Sequence, residues 1–164
     1  FANAGVTTEP SFVEITEADF DALFGTNVKG AIFTVRYALP YLRDGASVIL
    51  TSSVAIHKGR SGTPLYAATK GATTTFSRTL AMNADLLAKR VRVNIVTPGA
   101  TITPTTTQIM TAVPEVKDML AGMIPMGRWG EAPEVAEAVL FLASDASAYV
   151  TGAEIKVDGG WGSA

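Results

Sequence analysis

The sequence predicts an α/β fold built around a buried parallel sheet, and three observations predict it. Two apolar runs, Ser47–Thr51 and residues 91–96, are continuous rather than alternating, as strands covered on both faces are. Around them, apolar residues recur at helical spacing, clearest in Phe20, Leu23, Phe24, Val28, Ala31, Ile32 and Val35. A third short run, residues 153–157, follows another helical pattern and reads as the last strand.

Each element has its own justification. Residues 1–3 read as the end of a strand already under way, and residues 6–12 form a loop holding Pro10. Thr16 has the chemistry of an N-cap, with Asp19 close behind it. The helical period then predicts a long helix over 17–42, weakened at Gly25 and Gly30 and bent near Pro40. Asn27 falls in its middle, where asparagine is a poor choice by propensity. Residues 43–46 turn the chain into the strand Ser47–Thr51, and Ser52 and Ser53 follow at its tip. Neighbours on a strand face opposite ways, so only one of these serines can face a site there.

A second long helix is expected over 65–88. It carries a small-residue face of Ala67, Ala68, Gly71, Ala72 and Thr75, which allows close approach by a partner helix. After the strand at 91–96, Pro98 and Gly99 turn the backbone at a carboxyl end, where open α/β sheets place their ligands. Residues 104–129 lack one clear period and include Met110, Met119, Met123 and Met126. Thioether side chains repack readily, so the segment reads either as an apolar substrate lid or as ordinary core and interface filling. Pro133, with Glu131 and Glu134, opens the last long helix, whose Val135, Val139, Leu140, Leu142 and Ala143 pack inward. Nothing along residues 1–164 suggests a repeat, a linker or a second domain.

Composition excludes several classes. A formal charge of −2 provides no basic footprint for nucleic acid. No apolar run reaches the roughly 18–20 residues of a membrane helix. The absence of cysteine removes disulfide and thiolate chemistry and favours a cytoplasmic setting. One histidine and no tight carboxylate cluster argue against a dedicated metal site.

The reactive chemistry concentrates in Tyr66 and Lys70. Four residues apart on a helix, they rise from one face, and a cation beside a phenol lowers its pKa from about 10 by roughly 1–3 units. That brings the tyrosine toward the range of a working general acid or base. The Ser53 hydroxyl, at the strand tip, can reach the same point in space. His57, in the following loop, reads as a loop residue in preference to a substrate contact.

Ser53 followed by the Tyr66-x-x-x-Lys70 pattern resembles the short-chain dehydrogenase/reductase family, and the likeness runs nearly end to end. Asn3-Ala4-Gly5 is similar to the family's Asn-Ala-Gly strand tip, and Asn27 in Thr26-Asn27-Val28 to its helical asparagine. Pro98-Gly99 resembles its Pro-Gly turn, and Val157-Asp158-Gly159-Gly160 its C-terminal signature. The resemblance implies a Rossmann-like doubly wound parallel sheet, present from the end of its fourth strand onward. It also implies hydride transfer between NAD or NADP and a carbonyl or secondary alcohol.

In that reading Tyr66 is the general acid/base and Ser53 polarises the substrate oxygen. Lys70 lowers the phenol pKa and binds the nicotinamide ribose, and Asn27 anchors a water. Asn3, Ala4, Gly5, Pro98, Gly99, Thr101 and Thr103 line the cofactor together with Tyr66 and Lys70. Thr101 departs from the family's usual aliphatic residue, although its backbone N–H still suits the nicotinamide carboxamide, and Thr103 matches. Ser53 is preferred to Ser52 because its interval to Tyr66 is the family's, which leaves Ser52 as a hydrogen bonder to adjacent backbone. The family's helical interface implies a homodimer or homotetramer acting on a small carbonyl or alcohol, without nucleic acid or membrane.

No Gly-x-x-x-Gly-x-Gly or Gly-x-Gly-x-x-Gly loop occurs in the sequence, and neither does the residue that selects NAD over NADP. The sequence is therefore expected to be partial, with its fourth strand a stub and its fifth an apolar edge. Two rival readings keep the same residues: an epimerase or dehydratase using the Tyr/Lys pair, and an oligomerising module without catalysis. A serine hydrolase fits less well, since there is no Gly-x-Ser-x-Gly elbow and His57 is the sole histidine.

Overall fold

In the computed structural model, which describes residues 1–7, 10–59 and 62–163, the apolar runs form parallel strands. In chain order the strands are β1 (Ser47–Thr51), β2 (Arg92–Pro98), the two-residue β3 (Thr101–Ile102) and β4 (Gly130–Glu131), and β5 (Glu154–Val157). The α-helices are α1 (Glu17–Phe24), α2 (Ala31–Ala38), α3 (Pro64–Leu80), α4 (Ala84–Ala88), α5 (Pro104–Ala112), α6 (Glu115–Met123) and α7 (Ala132–Ala143). Among the described residues the main sheet runs β1-β2-β5, all parallel, with Val48 opposite Val93 and Ile95 opposite Glu154. Ala2 adds a single parallel bridge beside Leu50, its N–H donating to Ile49 O at 2.8 Å, so the expected strand stub lies against β1.

Both faces of the sheet are covered. On one, Val48, Leu50, Val91 and Val93 pack with Val35 of α2 and with Leu86 of α4. On the other, Ile49 and Val96 pack under Leu142 of α7. Complete burial of Leu50, Val93 and Val96 explains the continuous hydrophobic runs, because each full burial contributes roughly 1.5–3 kcal/mol.

Three polar residues of β2, Arg92, Asn94 and Thr97, are also buried, and the first two tie the sheet to its surroundings. Arg92 donates to the Leu142 carbonyl at 2.8 Å, to Ser147 Oγ at 2.6 Å and to the Ser144 carbonyl at 3.2 Å. A guanidinium there satisfies carbonyls at the negative end of α7. Asn94 donates to the Val150 carbonyl at 2.8 Å and accepts from the Ala153 amide at 3.0 Å, which aligns the chain for β5.

Several boundaries differ from the sequence reading. The helix expected over 17–42 is α1, a π-helical stretch Gly25–Gly30, α2 and a 3-10 turn Leu39–Tyr41. Its start is as expected: Thr16 Oγ1 accepts from the Asp19 amide, and Asp19 Oδ2 accepts from the Thr16 amide at 2.9 Å. The helix expected over 65–88 ends at Leu80, and Asn83 caps the separate α4 by accepting from the Leu86 amide at 3.1 Å. Residues 104–129 contain two helices, α5 and α6, each with proline at its start. No helix among the described residues is long and apolar enough to cross a membrane.

Candidate active site

The carboxyl ends of β1 and β2 open onto a cavity of about 310 Å³. Ser53 and Tyr66 both line it, as do Pro98, Gly99, Thr101 and Thr103. Its far wall is apolar and comes from the segment under α5 and α6: Ile109, Val116, Leu120 and Trp129, with Trp161 from the chain's last turn. Trp129 is fixed there because its indole N–H donates to the Lys117 carbonyl at 2.9 Å.

Ser53 stands where β1 gives way to a 3-10 turn, Val54–Ile56, and caps that turn by accepting from the Ala55 amide at 3.2 Å. A hydroxyl used as an acceptor keeps its proton for donation. Ser52 points the other way and is buried, its Oγ 2.6 Å from Thr74 Oγ1, a side-chain partner on α3 in place of the adjacent backbone expected for it. Alternation along the strand thus separates the two serines.

Tyr66 and Lys70 lie on the first two turns of α3, with Lys70 Nζ 5.8 Å from the centre of the Tyr66 ring. Lys70 is only 5% exposed, and its ammonium donates to the Thr51 carbonyl at 3.0 Å. Burial drives its pKa down to about 8. A side-chain methyl on Gly5 would sit 3.5 Å from Nζ and 3.3 Å from Asn27 Oδ1. The missing side chain keeps the approach to the ammonium open. With one N–H on Thr51, Lys70 retains donors of the kind that vicinal ribose hydroxyls accept. On this donor chemistry the residues fit a nicotinamide nucleotide.

Asn27 is 1% exposed and lies in the π-helical stretch, which turns it inward toward α3. Its Nδ2 donates to the Val6 carbonyl at 2.9 Å and to Thr69 Oγ1 at 3.0 Å, and its Oδ1 accepts from the Val6 amide at 2.8 Å. Its own carbonyl accepts from Thr73 Oγ1 at 3.2 Å. The side chain thus ties residue 6 to α3 through Val6 and Thr69. Asn27→Ala removes two bonds to the solvent-accessible Val6 backbone and one to buried Thr69, and is expected to cost about 1–3 kcal/mol. Urea unfolding checks this as a lower midpoint with an unchanged slope.

The remaining expected cofactor residues fall into two groups. Asn3 Oδ1 accepts from Thr51 Oγ1 at 2.8 Å, and Ala4 and Gly5 are exposed beside it. On the cavity side, Thr101 Oγ1 donates to the Gly99 carbonyl at 3.2 Å, and Thr103 caps α5 by accepting from the Thr106 amide at 3.2 Å. Gly99 donates to the Val157 carbonyl at 2.9 Å, and a side-chain methyl there would lie 2.7 Å from Asp158 Cα. Only glycine allows that approach to a backbone atom. Gly99→Ala is expected to destabilise the fold by about 1–3 kcal/mol, read as a lower thermal midpoint.

Sequence reasoning missed Glu154. Its carboxylate accepts from Thr97 Oγ1 at 2.7 Å and Arg78 Nη2 at 2.6 Å, and meets His57 Nε2 at 2.6 Å. Burial raises its pKa, but the bonds from His57 and Thr97 and the charges of His57 and Arg78 outweigh it and hold the carboxyl below its ordinary value. The one available signal was a carboxylate placed in a sheet strand beside Ile155 and Val157, where a charge requires paired neighbours. With His57 Nε2 on Glu154 and Ser53 Oγ on the Ala55 amide, no Ser–His hydrogen bond forms among the described residues.

Comparison with known proteins follows the same lines. Residues 1–162 match the family model described as enoyl-(acyl carrier protein) reductase. The chain is 39% identical over 162 residues to the 3-oxoacyl-[acyl-carrier-protein] reductase FabG of Thermotoga maritima, covering 96% of this chain and 63% of that protein. It is 37% identical over 169 residues to versicolorin reductase stcU of Emericella nidulans, covering 97% and 63%. Among solved structures, the angucycline C-6 ketoreductase LanV with bound NADP superposes with a TM-score of 0.90 at 31% identity, over 98% of this chain and 60% of that one. A short-chain dehydrogenase/reductase (glucose/ribitol dehydrogenase) from Brucella melitensis superposes at 0.87 with 33% identity, over 96% and 62%. The chain spans less than two thirds of the length of the curated relatives it matches, 63% of the Thermotoga protein among them.

Proposed function

The chain belongs to the short-chain dehydrogenase/reductase family, and from that premise we propose that it is an NAD- or NADP-dependent oxidoreductase interconverting a small carbonyl compound and the matching secondary alcohol. The nicotinamide, when bound, supplies or takes up the hydride. In the reducing direction Tyr66 donates its phenolic proton to the oxygen on which negative charge develops. Ser53 donates a second hydrogen bond to that oxygen and stabilises its charge. Lys70, as an ammonium beside the ring, stabilises the phenolate left behind and offers its remaining N–H groups to the ribose. Asn27 holds Val6 and Thr69 in place and positions the water that resupplies the proton. Asn3, Ala4 and Gly5 on one side, and Pro98, Gly99, Thr101 and Thr103 on the other, line the cofactor.

The observation that carries this reading is that Ser53 and Tyr66 share one cavity while the Lys70 ammonium lies against the same ring. Helices α5 and α6 form the substrate lid over residues 104–129, and their apolar inner wall suits a greasy ketone. The exposed aromatic residues Phe33 and Tyr37 on α2, with the small-residue face of α3, suit pairing of copies into a homodimer or homotetramer, in the cytoplasm.

The test is isotopic. The full-length protein is incubated with a panel of aryl and alkyl ketones and with NADH or NADPH deuterated at the transferable position. Deuterium on the carbinol carbon of at least one product is the expected result, and its absence with both cofactors across the panel overturns the reading.

A further inference from the structure

We propose that Glu154 is a positioning residue for the reaction, setting the serine-bearing turn against the tyrosine-bearing helix. This rests on the oxidoreductase reading above. Ser53 caps the 3-10 turn Val54–Ile56 at its start and His57 at its end, with the His57 amide closing onto the Val54 carbonyl at 2.9 Å. A turn this short is nearly rigid between its ends, so whatever fixes His57 also fixes Ser53. Glu154 fixes it: one carboxylate oxygen meets His57 Nε2 at 2.6 Å and Thr97 Oγ1 of β2 at 2.7 Å. The other oxygen meets Arg78 Nη2 at 2.6 Å. Arg78 lies on α3, the helix that carries Tyr66 and Lys70.

One carboxylate thus joins the turn that presents the serine hydroxyl, the helix that presents the phenol, and the strand between them. The His57 and Glu154 side chains are 22% and 10% exposed, so the bond is largely shielded from water. Arg78, at 53%, supplies the more solvated end. The C-terminal turn presses on the same place from outside, where a methyl on Gly162 would come within 3.4 Å of His57 Cβ and 3.2 Å of Val54 Cγ2. Misplacement of a catalytic group by about 1 Å costs on the order of 100-fold in rate. Neither Glu154 nor His57 lines the cavity, so their effect runs through Ser53.

The test uses the full-length protein as Glu154→Ala, Glu154→Gln, His57→Ala and the Glu154/His57 double alanine variant, with active sites counted by cofactor titration. Glu154→Ala and His57→Ala are each expected to lower kcat about 10- to 100-fold, with the cofactor Kd within twofold of the parent. Glu154→Gln, which keeps the length and an acceptor for Thr97, is expected to recover most of that loss. The double variant is expected to be no slower than the slower single one, because both remove the same bond. Amide exchange at Ile56, His57 and Lys58 is expected to quicken at least 10-fold in Glu154→Ala.

A kcat within twofold of the parent in His57→Ala, or fully additive losses in the double variant, overturns the proposal. So does unchanged exchange in the turn. Because exchange needs no turnover, a parent protein that transfers no deuterium to any ketone refutes the oxidoreductase reading while the exchange measurement still decides the clamp. If Glu154→Ala does not fold, His57→Ala, which removes only the loop end of the contact, carries the same expectations.

Discussion

Replacing Tyr66 with phenylalanine is expected to lower kcat for carbonyl reduction by about 10³-fold and to leave cofactor affinity nearly unchanged. The ring stays, with its packing on the cavity wall and its place beside Lys70 Nζ at 5.8 Å, and only the proton donor is lost. General acid catalysis by a positioned side chain contributes about 10²–10⁴-fold, which sets the size of the effect. Single-turnover measurement of product formation, beside fluorescence titration of the reduced cofactor, separates the two quantities. A phenylalanine variant that turns over within threefold of the parent removes Tyr66 from the mechanism.

Lys70→Met is expected to do two opposite things. It should lower kcat/KM by about 10³-fold, since stabilisation of the developing charge and the ribose contact go together. It should also raise stability at pH 7 by about 1–2 kcal/mol. Keeping protonated an ammonium that titrates at about 8 in the fold and at 10.5 in the unfolded chain costs on the order of 3 kcal/mol, and the hydrogen bond to Thr51 returns only part of it. The pH dependence follows from the direction of the shift. Below about pH 8 both states hold the proton and the cost is complete. Between about 8 and 10.5 the native protein sheds the proton first, the unfolded chain binds more protons, and the parent gains stability with rising pH. The advantage of the methionine variant is therefore largest below pH 8 and shrinks above it. Urea midpoints of both proteins across that range check this, and a constant difference at all pH values contradicts it.

The sheet was legible because its strands are buried on both faces and so leave unbroken apolar runs. The pair at Tyr66 and Lys70 was legible because four residues make one helical turn. Other features left weaker traces. Periodicity cannot distinguish a continuous helix from one with a π-helical stretch, so Gly25–Gly30 went unread, although a mid-helix Asn27 was its mark. Asn83 ahead of α4, and Thr103 with Pro104 ahead of α5, were capping signals overlooked inside long segments. The tie that Asn27 makes was not legible because its partners, Val6 and Thr69, lie 21 and 42 residues away. Glu154 depends on residues 97, 76 and 57 positions away, a meeting that only the folded chain reveals.

The π-helical stretch has one more consequence. An ordinary helix advances 100° per residue, so the surplus residue in Gly25–Gly30 resets the angular phase between Leu23 upstream and Ala31 and Val35 downstream, all three of which are buried. The two halves of this rod can both face inward only because their phases are offset by that amount. Length here is consequently a property under constraint in its own right: gain or loss of a single codon between positions 25 and 30 would swing an entire hydrophobic stripe into water, whichever amino acid was involved.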